Sequence, residues 1–323
     1  MTERIDEKRA AELLLAADDI VLLAHQYPDG DTLGCNFALC RALQALGKTV
    51  RVECADRIPE KYDYMTAGVP QPAFSPRFVC ALDVADERLL GDSVRELYGG
   101  RIDLCIDHHS TNTGYAAATC VDAGCAAAAI VIWRIIGLLG TERTPEIAAC
   151  IYTGIATDTG CFKYANADAL AHRIAADCID CGIPYEMINR VNFDIRSRAR
   201  IELERMALDR MAFYHDGRVA LMVTDNEMIR KSGATENDLE GLPPIPRQIE
   251  GVWVGITLRQ KKDGNYKTSV RTGTHADAAA ICALLGGGGH DRAAGCAVDG
   301  SLDTAKDAIL RAVEQAVPRI ITG

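Results

Sequence analysis

The chain has 323 residues, 48% hydrophobic and 25% charged, the balance of a globular protein long enough for two domains. A formal net charge of −10 excludes broad binding to long nucleic acid, which depends on a basic surface. It leaves room for a small anion held by metal ions and a few well-placed arginines.

The charged start of the chain, Met1 to Lys8, lacks the apolar core of a signal peptide, so a cytoplasmic location is expected. Apolar runs at Asp19–Ala24, Thr49–Cys54, Phe78–Leu82 and Ile102–Ile106 predict strands. Leu33–Leu46, Ser93–Leu97, Ala123–Leu139 and Pro145–Thr157 predict helices between and after them. This alternation predicts an α/β domain, a doubly wound parallel sheet covered on both faces. Arg134 interrupts the longest apolar stretch and glycines bound it, which favours a buried helix over a membrane span. Asn166–Cys181 reads as an amphipathic helix stopped by Gly182 and Pro184, and residues 189–214 as a charged helical connector. Beyond it, Arg218–Thr224, Val252–Arg259 and Tyr266–Thr272 predict strands, with helices at Ala276–Leu285 and Asp303–Val317. The expected division is a catalytic domain over 1–188, a helical linker over 189–214, and a smaller α+β domain with a mixed sheet over 215–323. The 13 cysteines lie scattered in apolar runs with one CxxC pair, Cys178 and Cys181, and read as buried free thiols.

Chemistry-bearing residues gather at the predicted strand ends. The run DIVLLA leads straight into His25, Asp29 and Asp31; Phe78–Leu82 leads into Asp83; Ile102–Ile106 leads into Asp107, His108 and His109. Loops at the carboxyl ends of strands carry the ligand chemistry of open α/β sheets. Asp158 sits in TGIATDTGCF, too apolar a setting for a solvated carboxylate. Any one of these residues reads equally well as a turn former or helix cap. Their joint convergence would crowd acids and imidazoles that repel one another unless cations neutralise them. Without thiolate, such donors suit Mn²⁺ first, with Mg²⁺ or Co²⁺ as the other candidates, more than structural zinc. No Walker loop or Ser-His-Asp elbow is present, so hydrolysis by metal-activated water is the expected chemistry.

In this order the motifs resemble those of the DHH phosphoesterase family, with Asp107-His108-His109 as its name-giving triplet. The resemblance implies that His25 and Asp29 bind one ion, that Asp31, His108 and Asp158 bind a second, and that Asp83 bridges both. It also implies that His109 lies beside the scissile phosphate and that Asp107 orients a neighbouring ligand. Gly286 to Gly295 (GGGGHDRAAG) resembles the GGGH signature of a DHH-associated domain. Consecutive glycines let backbone N–H groups approach an anion or base. Substrate contacts are accordingly expected from Arg271, Gly287, Gly288, Gly289 and His290. One DHH domain, a helical linker and one GGGH domain are similar to the nanoRNase/pAp-phosphatase branch. That likeness implies a two-metal phosphoesterase acting on very short oligonucleotides, pAp, pApA or cyclic di-AMP, with a homodimer as the family-based expectation. The competing expectations are an inorganic pyrophosphatase or polyphosphatase of the same superfamily and a non-catalytic nucleotide sensor.

Overall fold

In the computed structural model, which describes residues 2–239 and 241–322, the apolar runs of the N-terminal half build one six-stranded sheet. Its strands are β1 (Glu3–Arg4), β2 (Ile20–Leu23), β3 (Val50–Glu53), β4 (Phe78–Leu82), β5 (Leu104–Asp107) and β6 (Ala118–Val121). They lie in the order β1-β6-β5-β4-β2-β3, every neighbour parallel. Alternate side chains leave opposite faces, so an all-apolar strand must be covered twice. Ile20, Leu22, Leu82 and Ile106 join a large core with helices α1 (Glu7–Ala16) and α2 (Gly30–Ala45). Val21, Leu23, Ala81 and Cys105 join a smaller one with α3 (Asp92–Tyr98). The large core also takes in α4 (Ala128–Leu139), α5 (Pro145–Asp158) and α6 (Ala169–Asp180).

From β2 the chain moves outward to β3, then crosses back to β4 on the other side of β2. The reversal leaves a crevice at the carboxyl ends of β2 and β4, the switch point where open α/β sheets bind ligands.

Two helices begin where the sequence alone does not put them. Helix α2 starts at Gly30, so Asp29 is its N-cap and Asp31 lies in its first turn rather than in a loop. Helix α4 starts at Ala128 rather than Ala123; Ala118–Val121 is a strand, and a turn through Cys125 follows it. Helices α2 and α5 pack closely because three glycines let them. A Cβ on Gly30 would stand 2.5 Å from the Thr157 side chain, one on Gly34 would collide with the Cys150 carbonyl, and one on Gly154 would reach 2.6 Å from Asp31 Oδ1.

The chain divides after Ile195 into two compact units. The segment 189–214, expected as a helical linker, is itself split: a π-helical turn at Arg190–Asp194 belongs to the first unit, whereas α7 (Arg198–Asp209) belongs to the second. Ala212–Tyr214 is not helix at all but strand β7, paired antiparallel with β8 (Val219–Thr224). The other strands of the second sheet are β9 (Val254–Gln260), β10 (Tyr266–Thr272), β11 (Gly288–His290) and β12 (Ala293–Val298), ordered β11-β12-β10-β9-β8-β7. Only β8 and β9 run parallel, so the sheet is mixed. One of its faces packs with α9 (Ala278–Ala283) and α10 (Leu302–Ala316), reached past the small helix α8 (Asn226–Ser232). All 13 cysteines are free thiols. Among the described residues no helix is long and apolar enough to cross a membrane.

Candidate metal centre

Each acid or imidazole singled out in the N-terminal half stands at the switch-point end of the first sheet, and the sheet brings them together. Three sets of donor atoms each lie within 4.8 Å of one another: His25, Asp29 and Asp83; Asp31, His108 and Asp158; Asp83, His108 and His109. Asp83 is shared by the first and third sets, and its buried carboxyl lies between them.

The geometry is prepared by backbone contacts. His25 Nδ1 donates to the Gln26 carbonyl at 2.7 Å, which leaves Nε2 as an acceptor 3.6 Å from Asp29 Oδ1 and 3.8 Å from Asp83 Oδ2. His108 repeats the device, with Nδ1 3.1 Å from the Cys125 carbonyl and Nε2 3.3 Å from Asp158 Oδ2, 3.6 Å from Asp83 Oδ1 and 3.9 Å from Asp31 Oδ2. Fixing the tautomer through the far nitrogen is how proteins aim an imidazole at a cation. Asp31 accepts from the Ala128 and Ala129 amides at 2.7 and 2.9 Å, so it caps α4, whose own N-cap, Ala127, offers no side-chain acceptor. Asp83 has φ 58°, a left-handed backbone unusual for a residue with a side chain and typical of functional sites. Thr32 ties the first turn of α2 to the end of β4 by donating to the Leu82 carbonyl at 3.1 Å.

Asp107 lies outside all three sets. Its Oδ1 accepts from the His108 and His109 amides at 2.7 and 3.2 Å and from His109 Nδ1 at 2.8 Å, and Oδ2 accepts from Asn112 at 2.7 Å. His109 therefore keeps its Nδ1 proton on Asp107 and has Nε2 left over on a ring 38% exposed, a poor ligand but a well-held partner for something outside. Asn112, Thr32, Gly34 and Gly154 were not legible as site residues; only the Gly30–Gly34 spacing hints at close helix packing, and nothing local marks Asn112.

The electrostatics fit cations. Burial, and then the charge of Asp158, pushes Asp31 up to about 7; burial, followed by its acidic neighbours, holds Asp83 well above the carboxylate range. Burial also raises Asp158. For His108 burial is outweighed by Asp158 and Asp31, and the imidazole rises to about 9. Asp83 Oδ1 and His108 Nε2 are buried without any hydrogen-bond partner. Buried polar atoms are otherwise almost always satisfied, and a cation on these hard O and N donors would satisfy both. The residues fit divalent ions.

In the second unit, cross-strand register puts His290, Ala293, Arg271 and Gly255 in one row across β11, β12, β10 and β9. Their neighbours Val270, Ala294 and Ile256 point into the core, so Arg271 and His290 share the opposite face. The expected glycine contacts divide. A Cβ on Gly287 or Gly289 would collide with β12, and Gly289 has φ 144°, so packing alone requires glycine there. Gly288 has open space around it, and it stands with Gly295 and Ser269 in the row beside Arg271.

A parallel sheet with acid–histidine sets at its switch point, followed by a mixed-sheet unit, defines a two-unit α/β protein with a candidate cation centre. Residues 19–155 match the DHH family, N-terminal domain, and residues 218–318 match the DHHA1 domain. The bifunctional oligoribonuclease and PAP phosphatase NrnA of Thermus thermophilus is 34% identical over 96% of this chain and 94% of its own length. The protein of the same name from Bacillus subtilis is 22% identical over 87% of this chain and 90% of its own. The fold matches that of an exopolyphosphatase-related protein from Bacteroides fragilis, with a TM-score of 0.88 at 24% identity over 97% of each chain. The chain belongs to the DHH family, its DHH domain followed by a DHHA1 domain.

Proposed function

We propose that the protein is a metal-dependent phosphoesterase that hydrolyses very short oligonucleotides to 5′-mononucleotides and removes the 3′-phosphate of pAp. The observation that carries this is the cluster at the switch point, where Asp83 Oδ1 and His108 Nε2 lie buried 3.6 Å apart and neither has a hydrogen bond. The activities named for the relative that is 34% identical along nearly the whole chain supply the substrate class.

His25 and Asp29 would hold one divalent ion, Asp31, His108 and Asp158 a second, and Asp83 both. Manganese is the proposed ion, since oxygen and imidazole donors without thiolate suit it. When bound, such ions supply Lewis acidity to a phosphate ester and make water a nucleophile near neutral pH. The chain's own residues do the rest. Asp107 holds the His109 ring by Nδ1, so that Nε2, when the ring is in its imidazolium form, can donate to a phosphate oxygen or leaving group. Arg271 offers a guanidinium fork to a phosphate, His290 a directed hydrogen bond, and Gly288 an unobstructed backbone. The acidic balance of −10 supports small substrates over long nucleic acid.

A single assay tests the reading. Purified protein with Mn²⁺ is offered pAp, pApA, cyclic di-AMP, a trinucleotide and pyrophosphate, with chelator controls. Metal-dependent release of AMP or mononucleotides is expected; release of phosphate from pyrophosphate alone would move the assignment to a pyrophosphatase.

A further inference from the structure

Arg247 is used by neither the metal centre nor any element of the core. It sits in the 3-10 turn Ile245–Gln248, where Pro244 and Pro246 fix the backbone around it. The turn lies on the face of the second sheet that carries Arg271. A Cβ on Gly255, the residue directly opposite Arg271 on β9, would meet the Arg247 amide nitrogen at 2.6 Å and its Cβ at 2.9 Å. A Cβ on Gly273, two residues beyond Arg271 along the chain, would meet a terminal guanidinium nitrogen of Arg247 at 2.8 Å and its Nε at 3.2 Å. Neither glycine has a positive φ, so backbone conformation does not call for glycine at either place. Both instead clear a track along which the Arg247 side chain runs beside Arg271.

The track ends without an acceptor. Among the described residues four arginines have a buried Nε with no hydrogen-bond partner: Arg41, Arg200, Arg247 and Arg259. Arg41 and Arg200 bond backbone carbonyls through their other nitrogens, and Arg259 bonds Glu236. Among the described residues Arg247 makes no hydrogen bond or ion pair through any side-chain nitrogen. A guanidinium is costly to hold partly buried and unpaired, and it pairs best with a planar or tetrahedral oxyanion through two N–H groups. Arg292 holds the adjoining loop by bonding the Gly273 and Ala276 carbonyls, so the track has a fixed wall.

We infer that Arg247 binds the terminal phosphate monoester of a nucleotide alongside Arg271, giving the DHHA1 face a second guanidinium. This rests on the proposed function only for the identity of the ligand as a short nucleotide. Two guanidinium groups favour a dianionic monoester over the monoanionic diester that is cleaved, so the pair would distinguish a chain end from an internal linkage.

The test is equilibrium binding, read by calorimetry on the chelator-treated full chain, with 5′-AMP, 3′-AMP and adenosine as probes. Wild type should bind one of the monophosphates more tightly than adenosine, and which one identifies the end that is held. Arg247→Met, which keeps the aliphatic stem, should weaken that monophosphate about tenfold or more and leave adenosine unchanged. Arg247→Lys should recover part of the loss. Equal weakening of monophosphate and adenosine, or no weakening, overturns the inference, and thermal unfolding of each variant separates lost binding from lost fold. If Arg247 governs AMP binding but the protein hydrolyses no short nucleotide, the guanidinium pair stands and the proposed function falls. If hydrolysis is normal and Arg247→Met binds AMP as wild type does, the reverse holds.

Discussion

Asp83 concentrates the chemistry of the first unit in one residue. Its carboxyl is buried, shared by two donor sets, and carried on a left-handed backbone at φ 58°. Asparagine tolerates that conformation and keeps the shape while removing the charge. Asp83→Asn should therefore leave the metal-free protein at least as stable as wild type, while hydrolysis falls about 100-fold or more; a calorimeter and the Mn²⁺ assay read the two outcomes. His109→Ala should act differently. Its ring serves Asp107 and faces outward, so bound manganese measured by atomic absorption should stay unchanged while kcat drops by about 100-fold. An equal loss of metal and turnover would make His109 a ligand instead. At this scale the sequence was most informative. Motifs at strand ends displayed the acids and imidazoles because a carboxyl or imidazole beside an apolar run is conspicuous. The residues that hold them were hidden: Asn112 reaches Asp107 only through the fold, and the carbonyls of Gln26 and Cys125 that set the two tautomers have no side-chain signature.

Between α2 and α5 the spacing of two helices sets the distance between Asp31 and Asp158. Gly34 and Gly154 occupy positions where a methyl group would strike the Cys150 carbonyl and the Asp31 carboxylate. Gly34→Ala should cost about 1–3 kcal/mol by overpacking, seen as a Tm loss of roughly 2–4 °C per kcal/mol. Gly154→Ala should add a loss of metal affinity because it displaces a proposed ligand; an unchanged manganese titration would count against that. Elements with strong patterns, such as β2, β4 and β5, were readable because each is buried on both faces. Five strands were not, among them Gly288–His290 and Ala293–Val298, whose glycine- and alanine-rich run carries no strand pattern. Glu3–Arg4 is two charged residues, Ala118–Val121 has no alternation, and Ala212–Tyr214 continues a charged helical pattern and becomes a strand only because the edge of β8 offers it hydrogen-bond partners. The late start of α4 has the same origin, since its cap comes from Asp31, far away in sequence.

For the molecule as a whole, the acidic centre should make stability depend on metal and on pH together. Saturating Mn²⁺ at about 100 times its Kd would add roughly 2.7 kcal/mol, and chelation should remove that gain. The sign of the pH effect follows from the raised groups. Asp31, raised from 3.8 to about 7, keeps in the folded chain a proton that the unfolded chain has already released, so stability falls as pH rises from about 4 to about 7. His108, up at about 9, stabilises while protonated, and that contribution is lost as pH rises toward 9. Both act in one direction and their ranges join, so the Tm of chelated protein should fall between about pH 4 and 9. With manganese bound the slope should flatten, and a flat profile for chelated protein would show that these groups are not crowded as described.

The carboxylate of Asp31 answers to two masters: its oxygens hold the first amides of α4, and in the proposed centre it is also offered to an ion. Loading the centre should then be felt by the backbone of a helix that contributes none of the donor side chains. Deuterium uptake at Ala128 and Ala129 would register occupancy directly, a native gauge of the filled state that needs neither dye nor turnover.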